Sequence, residues 1–350
     1  MSPVNVYISC PAGNAVDGFE LDTETGKLTP SGRQEGQASV GSVAQDRARG
    51  LLYAGLNQDA AAVASLRVGT GGLLTAVGTA PLHARTAYLS VDPHGRWLFN
   101  ASYHDDVVLA LPLDADGTPG DRAPVRMTPG GKAHCVLPSP DGAFVYATSL
   151  GDDRIVWYRP EEAFEEAGHV DSAPGSGPRH LRFSASGDVV YALHEMTGTV
   201  AVYTRDAGTG ALEEIQVVGS VPEELGLVPG HARGSGRPDP GPDAIWCSDV
   251  QLGAGGRYLF TTERSSSTVT AFAVDPDNGT LTFLRTTDTE TQPRGAGVDP
   301  SGSFLLVCGQ RSDHVSVYRI GEDGLLETTD RASTAEGPMW IETLEPVTAP

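Results

Sequence analysis

The chain has 350 residues, a formal net charge of −21, 43 glycines, 25 prolines and 7% aromatic residues. That length holds one large domain or two ordinary ones, and the charge excludes the basic footprint that nucleic-acid binding needs. No apolar run approaches membrane-spanning length, and the N-terminus Met-Ser-Pro-Val-Asn-Val-Tyr has no basic region or apolar signal core, so the expectation is a soluble cytoplasmic protein. Cys10, Cys135, Cys247 and Cys308 are widely spaced without a C-x-x-C pattern, as expected of buried free thiols.

Apolar runs of four to eight residues dominate, with no sustained helical stripe. The first 37 residues hold three strand-like segments, VNVYISC, AVDGFELD and GKLTPSGR. Six turns then share one layout, an apolar strand, a tight turn ending in glycine and a second apolar strand. Their glycines are Gly50, Gly95, Gly142, Gly187, Gly256 and Gly302, at intervals of 45, 47, 45, 69 and 46. A third strand follows in each unit (DDRIVWYRP, TGTVAVYTR, SDHVSVYRI), and a fourth often follows a Gly-Leu-Leu-like turn (GGLLTAVG, TGALEEIQ, NGTLTFLR, DGLLETTD). Four strands in about 45 residues make one propeller blade.

The long interval contains an insertion, residues 221–243, polar and crowded with Gly and Pro, which reads as a loop leaving the blade and returning. The first 37 residues match the second, third and fourth strands of a blade, and Gly337–Glu342 supplies the missing first strand. The prediction is an all-β, seven-bladed β-propeller in a single domain spanning 1–350, its last blade closed by N- and C-terminal strands together. An open pair of sandwiches would leave the near-constant period unexplained.

In a propeller the first strand of each blade lines the central channel, so residues at its head converge on one mouth. Aligning the units places Arg85, Thr86, His134, Arg179, His180, Asp249, Arg294 and Met339 there, joined by His104, Glu195 and Arg264 from the turns between second and third strands. Each has a plain alternative, bonding carbonyls of neighbouring blades, and Asp249 reads as a group that binds backbone N–H. His83 and His94 read as surface residues, and Trp and Tyr at strand positions as blade-to-blade core. Should the 221–243 loop fold over the mouth, His231 or Arg233 would reach a ligand. Other constellations fail: no serine sits in a nucleophile elbow, His194-Glu195 lacks the second histidine of a zinc motif, and the glycines of 174–178 precede a strand without G-K-[ST].

The segments A-H-C-V-L-P-S-P-D-G (133–142), G-P-R-H-L-R-F (177–183) and T-E-T-Q-P-R-G (289–295), with Gly309-Gln310, His314-Val-Ser-Val-Tyr318 and Gly337-Pro-Met-Trp340, carry a family resemblance along nearly the whole chain. It resembles the bacterial seven-bladed 6-phosphogluconolactonase family, related to the fungal carboxy-cis,cis-muconate lactonising enzymes. The resemblance implies a site without metal or cofactor at one mouth of the channel, with the family's catalytic His, Arg and Glu on His134, Arg179 and Glu195 and a further arginine on Arg294. The chain departs from the pattern at Gln251 and His194, where relatives tend to have His and Asn. Asp105-Asp106 beside the rim would disfavour an extra phosphate.

The expected activity is hydrolysis of an anionic sugar-acid lactone, 6-phosphogluconolactone to 6-phosphogluconate in the pentose phosphate pathway. Glu195 would serve as base with help from His134, Arg179 would stabilise the oxyanion and Arg294 would hold the anionic end. His180, Arg85, Arg264, His104, Asp249 and Gln251 are candidate substrate contacts. The same residues suit an unphosphorylated lactone or a carboxymuconate cycloisomerisation. The competing class is a non-catalytic interaction scaffold. The oligomeric state is open.

Overall fold

A computed structural model describes residues 3–345 apart from 59, 162, 235 and 237. Its strands form seven four-stranded antiparallel sheets. Counting blades along the chain, the inner strands are Val40–Asp46, Tyr88–Val91, Ala133–Pro138, Pro178–Phe183, Cys247–Gly253, Pro293–Val298 and, for blade 7, Trp340–Leu344. Blade 7 takes its other three strands from the N-terminus, Val4–Cys10, Ala15–Leu21 and Leu28–Glu35. The closing ladder runs from Ser9 opposite Trp340 to Asn5 opposite Leu344. It starts three residues later than the sequence suggests, because Gly337 turns with φ +71° and only then does the Met339 N–H reach Ser9 O at 2.9 Å.

The second and third strands of the blades are apolar and buried on both faces because neighbouring blades cover both, as in Leu51–Leu56, Val107–Pro112 and Phe304–Gly309, whereas the outermost strands are largely exposed. Leu212–Gly219, LEEIQVVG, has only Leu212 fully buried. The period-setting glycines close tight turns: the Gly187 N–H bonds Ser184 O at 2.9 Å and the Gly302 N–H bonds Asp299 O at 2.8 Å, both with φ above +70°. The outer strands of blades 2 and 3, Val125–Met127 and Glu165–Asp171, escape the sequence pattern because one is three residues long and the other is almost wholly polar.

Tyrosines fasten blade to blade. Tyr7, Tyr53, Tyr146 and Tyr191 donate to the carbonyls of Gly72, Gly117, Gly210 and Gly279, each in the outer turn of the next blade, at 2.5–3.0 Å. Each buried ring thus keeps its hydroxyl satisfied. All four cysteines are buried and free.

The insertion leaves blade 4 through a single 3-10 turn, Glu223–Leu225. Val228 bridges Ala244 on the way back, and the Gly230 N–H bonds Met196 O at 2.8 Å. This brings Arg233 and Asp239 over the channel mouth.

Candidate active site

The heads of the inner strands are irregular in the same way. In blade 4 Pro178 opposes His194 and His180 opposes Leu193, so Arg179 is one extra residue on the inner strand. Arg294 is the same extra residue in blade 6, between Pro293–Gly309 and Gly295–Cys308. In blade 3 the shift covers His134 and Cys135, and in blade 5 Ser248 and Asp249. A bulge turns its side chain out of the sheet's alternation, and here it turns His134, Arg179 and Arg294 into a common cavity of about 520 Å³.

Glu195 enters from the turn after the second strand of blade 4. Its main chain is clamped on both sides, its N–H on Gly177 O at 2.8 Å and its carbonyl on the Cys247 N–H at 3.0 Å. Arg179 Nε donates to Glu195 Oε2 at 2.7 Å and Arg264 Nη2 to the same oxygen at 2.8 Å. These three side chains are 2–4% exposed. Arg264 also donates from Nε to Trp246 O at 2.9 Å and stacks 3.7 Å from the centre of the Trp246 ring. Behind them, Arg179 Nη1 meets Ser248 O and, at 2.9 Å, His180 Nε2, while His180 Nδ1 lies 2.9 Å from Asp249 Oδ1. Arg294 lines the same cavity with no hydrogen bond to any described residue.

The family model for the seven-bladed β-propeller lactonases matches residues 5–343. The chain belongs to that lactonase family. It is 31% identical over 345 residues to the 6-phosphogluconolactonase of Pectobacterium atrosepticum, covering 97% of this chain and 98% of the relative. To that of Klebsiella pneumoniae it is 30% identical over 341 residues, covering 96% and 97%. Among solved structures, the periplasmic gluconolactonase of Pseudomonas aeruginosa superposes with a TM-score of 0.85 at 25% identity over 99% of this chain and all of that one. A protein of Lactobacillus plantarum shares the fold, with a TM-score of 0.84 at 22% identity over 98% of this chain and all of that one. The chain is therefore a lactonase, a hydrolase of lactone esters. No helix among the described residues is long and apolar enough to cross a membrane.

In this lactonase the cavity gathers most of the residues expected there. His134, Arg179, Glu195, Arg264, Arg294, Arg85, His104, Thr86 and Met339 all line it. Three expected substrate contacts do not. His180 lies behind Arg179, edge-on to the rings of Tyr88, His134 and Trp340. Asp249 and Gln251 line a second cavity of about 210 Å³ with Arg182 and Glu342. The physical reason is strand geometry: each residue further along an inner strand lies about 3.3 Å deeper in the channel. Asp249 does bind backbone, accepting from the N–H of Val250 at 2.8 Å and of Ala296 at 2.9 Å. Asp105 and Asp106 stay out of the cavity lining, held by the backbone N–H groups of Arg85 and Lys132 at 3.0 and 2.5 Å. His194, the other departure from the family pattern, lies 2.9 Å from Thr199 Oγ1.

Sequence reasoning missed Tyr103, Trp246, Asn57 and Asp239, which also line the cavity. Tyr103 had a signal, its place beside His104 in a strand-connecting turn. Trp246 had none beyond its position just before an inner strand. The insertion does reach the mouth: Arg233 pairs with both oxygens of Asp239 at 2.7 and 2.6 Å, and Tyr103 Oη donates to Arg233 O at 3.0 Å. His231 bonds Pro238 O instead.

Five arginines and two carboxylates line this cavity in a chain of net charge −21. Burial pushes the Glu195 carboxyl up, but the charges of Arg264 and Arg179 and the hydrogen bond from Arg179 outweigh it and hold Glu195 below the usual range. Burial, then Arg179, drives His134 well below 6.5. At neutral pH the site therefore presents a carboxylate, a neutral imidazole and a surplus of guanidinium charge.

Proposed function

We propose that this cavity hydrolyses 6-phosphogluconolactone to 6-phosphogluconate, the lactone-opening step of the pentose phosphate pathway. The observation that carries the reading is Arg294, a guanidinium turned into the cavity with no hydrogen bond among the described residues. Arg179 and Arg264 share Glu195, Arg233 has Asp239, and Arg85, exposed at the rim, is the other cavity arginine whose side chain has no hydrogen bond among the described residues. An arginine without an internal partner suits a substrate phosphate, which it can bind through two parallel N–H bonds.

The reaction adds water to the lactone carbonyl and breaks the ring C–O bond, giving a carboxylate, a hydroxyl and a proton. Glu195, ionised at neutral pH, takes the proton of the attacking water, and neutral His134 orients that water. Arg179 faces the carbonyl oxygen as it becomes an oxyanion. Phosphate on Arg294 offsets part of the cationic field that depresses Glu195 and His134, so both groups become more basic once substrate is bound.

A second reading, an unphosphorylated glucono-lactone, is supported by the likeness to the periplasmic gluconolactonase of Pseudomonas aeruginosa. A proton-release assay on 6-phosphogluconolactone, glucono-lactone and a carboxymuconate separates the readings. The expected result is a clear preference for the phosphorylated lactone. Preference for the unphosphorylated one moves the assignment to the second reading, and no rate above background on any of them overturns both.

A further inference from the structure

We propose that His180 and Asp249 are positioning residues that fix the Arg179 fork so that Nη2 alone is left for the substrate's carbonyl oxygen; this rests on the reaction proposed above. Arginine can only donate hydrogen bonds. His180 Nε2, 2.9 Å from Arg179 Nη1, must therefore be the acceptor, and the ring proton must sit on Nδ1. That proton is donated to Asp249 Oδ1 at 2.9 Å.

Asp249 enforces this arrangement because every group facing it is a donor. Oδ1 also takes the Val250 N–H at 2.8 Å, and Oδ2 takes the Ala296 N–H at 2.9 Å and Gln251 Nε2 at 3.4 Å. An acid proton or an amide N–H there would point at another donor. Burial and the Arg179 charge push the His180 pKa down to about 3, so the ring is neutral and its Nε2 lone pair persists at working pH.

The ring is also held in place mechanically. It meets the rings of Tyr88, His134 and Trp340 edge-on at centroid distances of 5.1, 5.2 and 5.8 Å. These walls come from blades 2, 3 and 7, and Asp249 comes from blade 5. Arg179 Nε is committed to Glu195 Oε2, and Nη1 to His180 and Ser248 O. Nη2 is the one guanidinium nitrogen with no acceptor among the described residues, and Arg179 lines the cavity. Without an acceptor at His180, Nη1 would turn toward other oxygens and carry Nη2 away from the carbonyl.

The test uses the full-length protein. His180→Phe keeps the aromatic packing and removes the acceptor. His180→Gln offers an amide whose oxygen and nitrogen are spaced much as the two ring nitrogens. His180→Phe should lower kcat at least about tenfold with KM within about threefold, the signature of an interaction made in the transition state, and His180→Gln should restore most of kcat. If the role were only structural, both variants would lose kcat in step with melting temperature. His180→Phe within about twofold of wild-type kcat overturns the inference while leaving the reaction intact. Long-range 1H–15N spectra of histidine-labelled wild-type protein read the tautomer without relying on a variant that folds, and a proton on Nε2 of His180 would also overturn it. A wild-type protein inactive on every lactone overturns the reaction and this inference together.

Discussion

Replacing Arg294 with methionine should make the protein more stable and a worse enzyme. Burial, then the charge of Arg179, pushes Arg294 well below the ordinary arginine value, down to about 10. At about 1.4 kcal/mol per factor of ten in proton affinity, that drop corresponds to about 3 kcal/mol against the charged form. Below pH 10 the group is cationic both folded and unfolded, so the whole penalty is present at pH 7. It fades only as pH rises from about 10 toward the ordinary arginine value. Methionine keeps much of the apolar stem and removes the charge. The attraction to Glu195 is already part of that net drop, so with the stem contacts only partly replaced by methionine the gain should be about 1–3 kcal/mol. A charge-assisted hydrogen bond to phosphate contributes about 1.5–3 kcal/mol, so KM for the phosphorylated lactone should rise roughly 10- to 150-fold. Urea unfolding at pH 7, with and without inorganic phosphate, measures the first effect. Phosphate should stabilise the wild type and stabilise the variant much less. A methionine variant less stable than wild type would refute the reasoning, because Arg294 would then be holding carbonyls of the ring together.

Glu195→Gln should move stability in the opposite direction, losing about 3–5 kcal/mol as two buried guanidiniums lose their shared counter-charge, and kcat should fall at least about tenfold; unchanged urea unfolding would argue against the buried triad. Arg233→Ala should raise KM for the phosphorylated lactone by about threefold to tenfold, with a smaller change for the unphosphorylated one, since its pair with Asp239 is solvent-exposed and exchangeable. Equal effects on both lactones would place Arg233 away from the phosphate. Because Glu195 is held below 4.5 and His134 well below 6.5, both keep their proton-accepting forms as pH falls through 6.5. On glucono-lactone, which has no titrating phosphate, the kcat/KM profile should stay flat down to about pH 5.5, and an acid limb centred near 6.5 would contradict this.

Blade number, ring closure and the identity of most cavity residues were legible in the sequence because they rest on repetition. A glycine at a fixed place in each turn sets the register, and the register fixes which residues head the inner strands. What repetition cannot show is depth. Asp249 aligns with the other strand-head residues, yet with the blade 5 shift spanning both Ser248 and Asp249 its carboxylate faces the second cavity. Gln251 is deeper by two residues for the same reason. Nor does a pattern of types reveal who satisfies whom. Sequence alone gives Arg264 and Arg294 the same residue type at the same mouth, but the structure commits Arg264 to Glu195, Trp246 O and Cys247 O and leaves Arg294 with no hydrogen bond among the described residues. From sequence alone Trp246 reads as core, because an indole at a strand end usually packs between blades. Its role as a shelf under Arg264 depends on how the insertion returns to blade 5.

The seam in blade 7 imposes an order on synthesis. Within this blade Val4–Cys10 is made first, and its partner Trp340–Leu344 comes about 330 residues later. At roughly 5–20 residues per second, the ribosome takes roughly 15–65 s to supply it. Through that interval VNVYISC, every residue of which ends up buried, has an open edge able to pair with another nascent chain. The late strand also carries Trp340, whose ring closes against Tyr88 and His180. Termination of the ring and completion of the hub behind Arg179 are thus one event, and a chain stalled before residue 340 would display blades without the wall that steadies their shared centre.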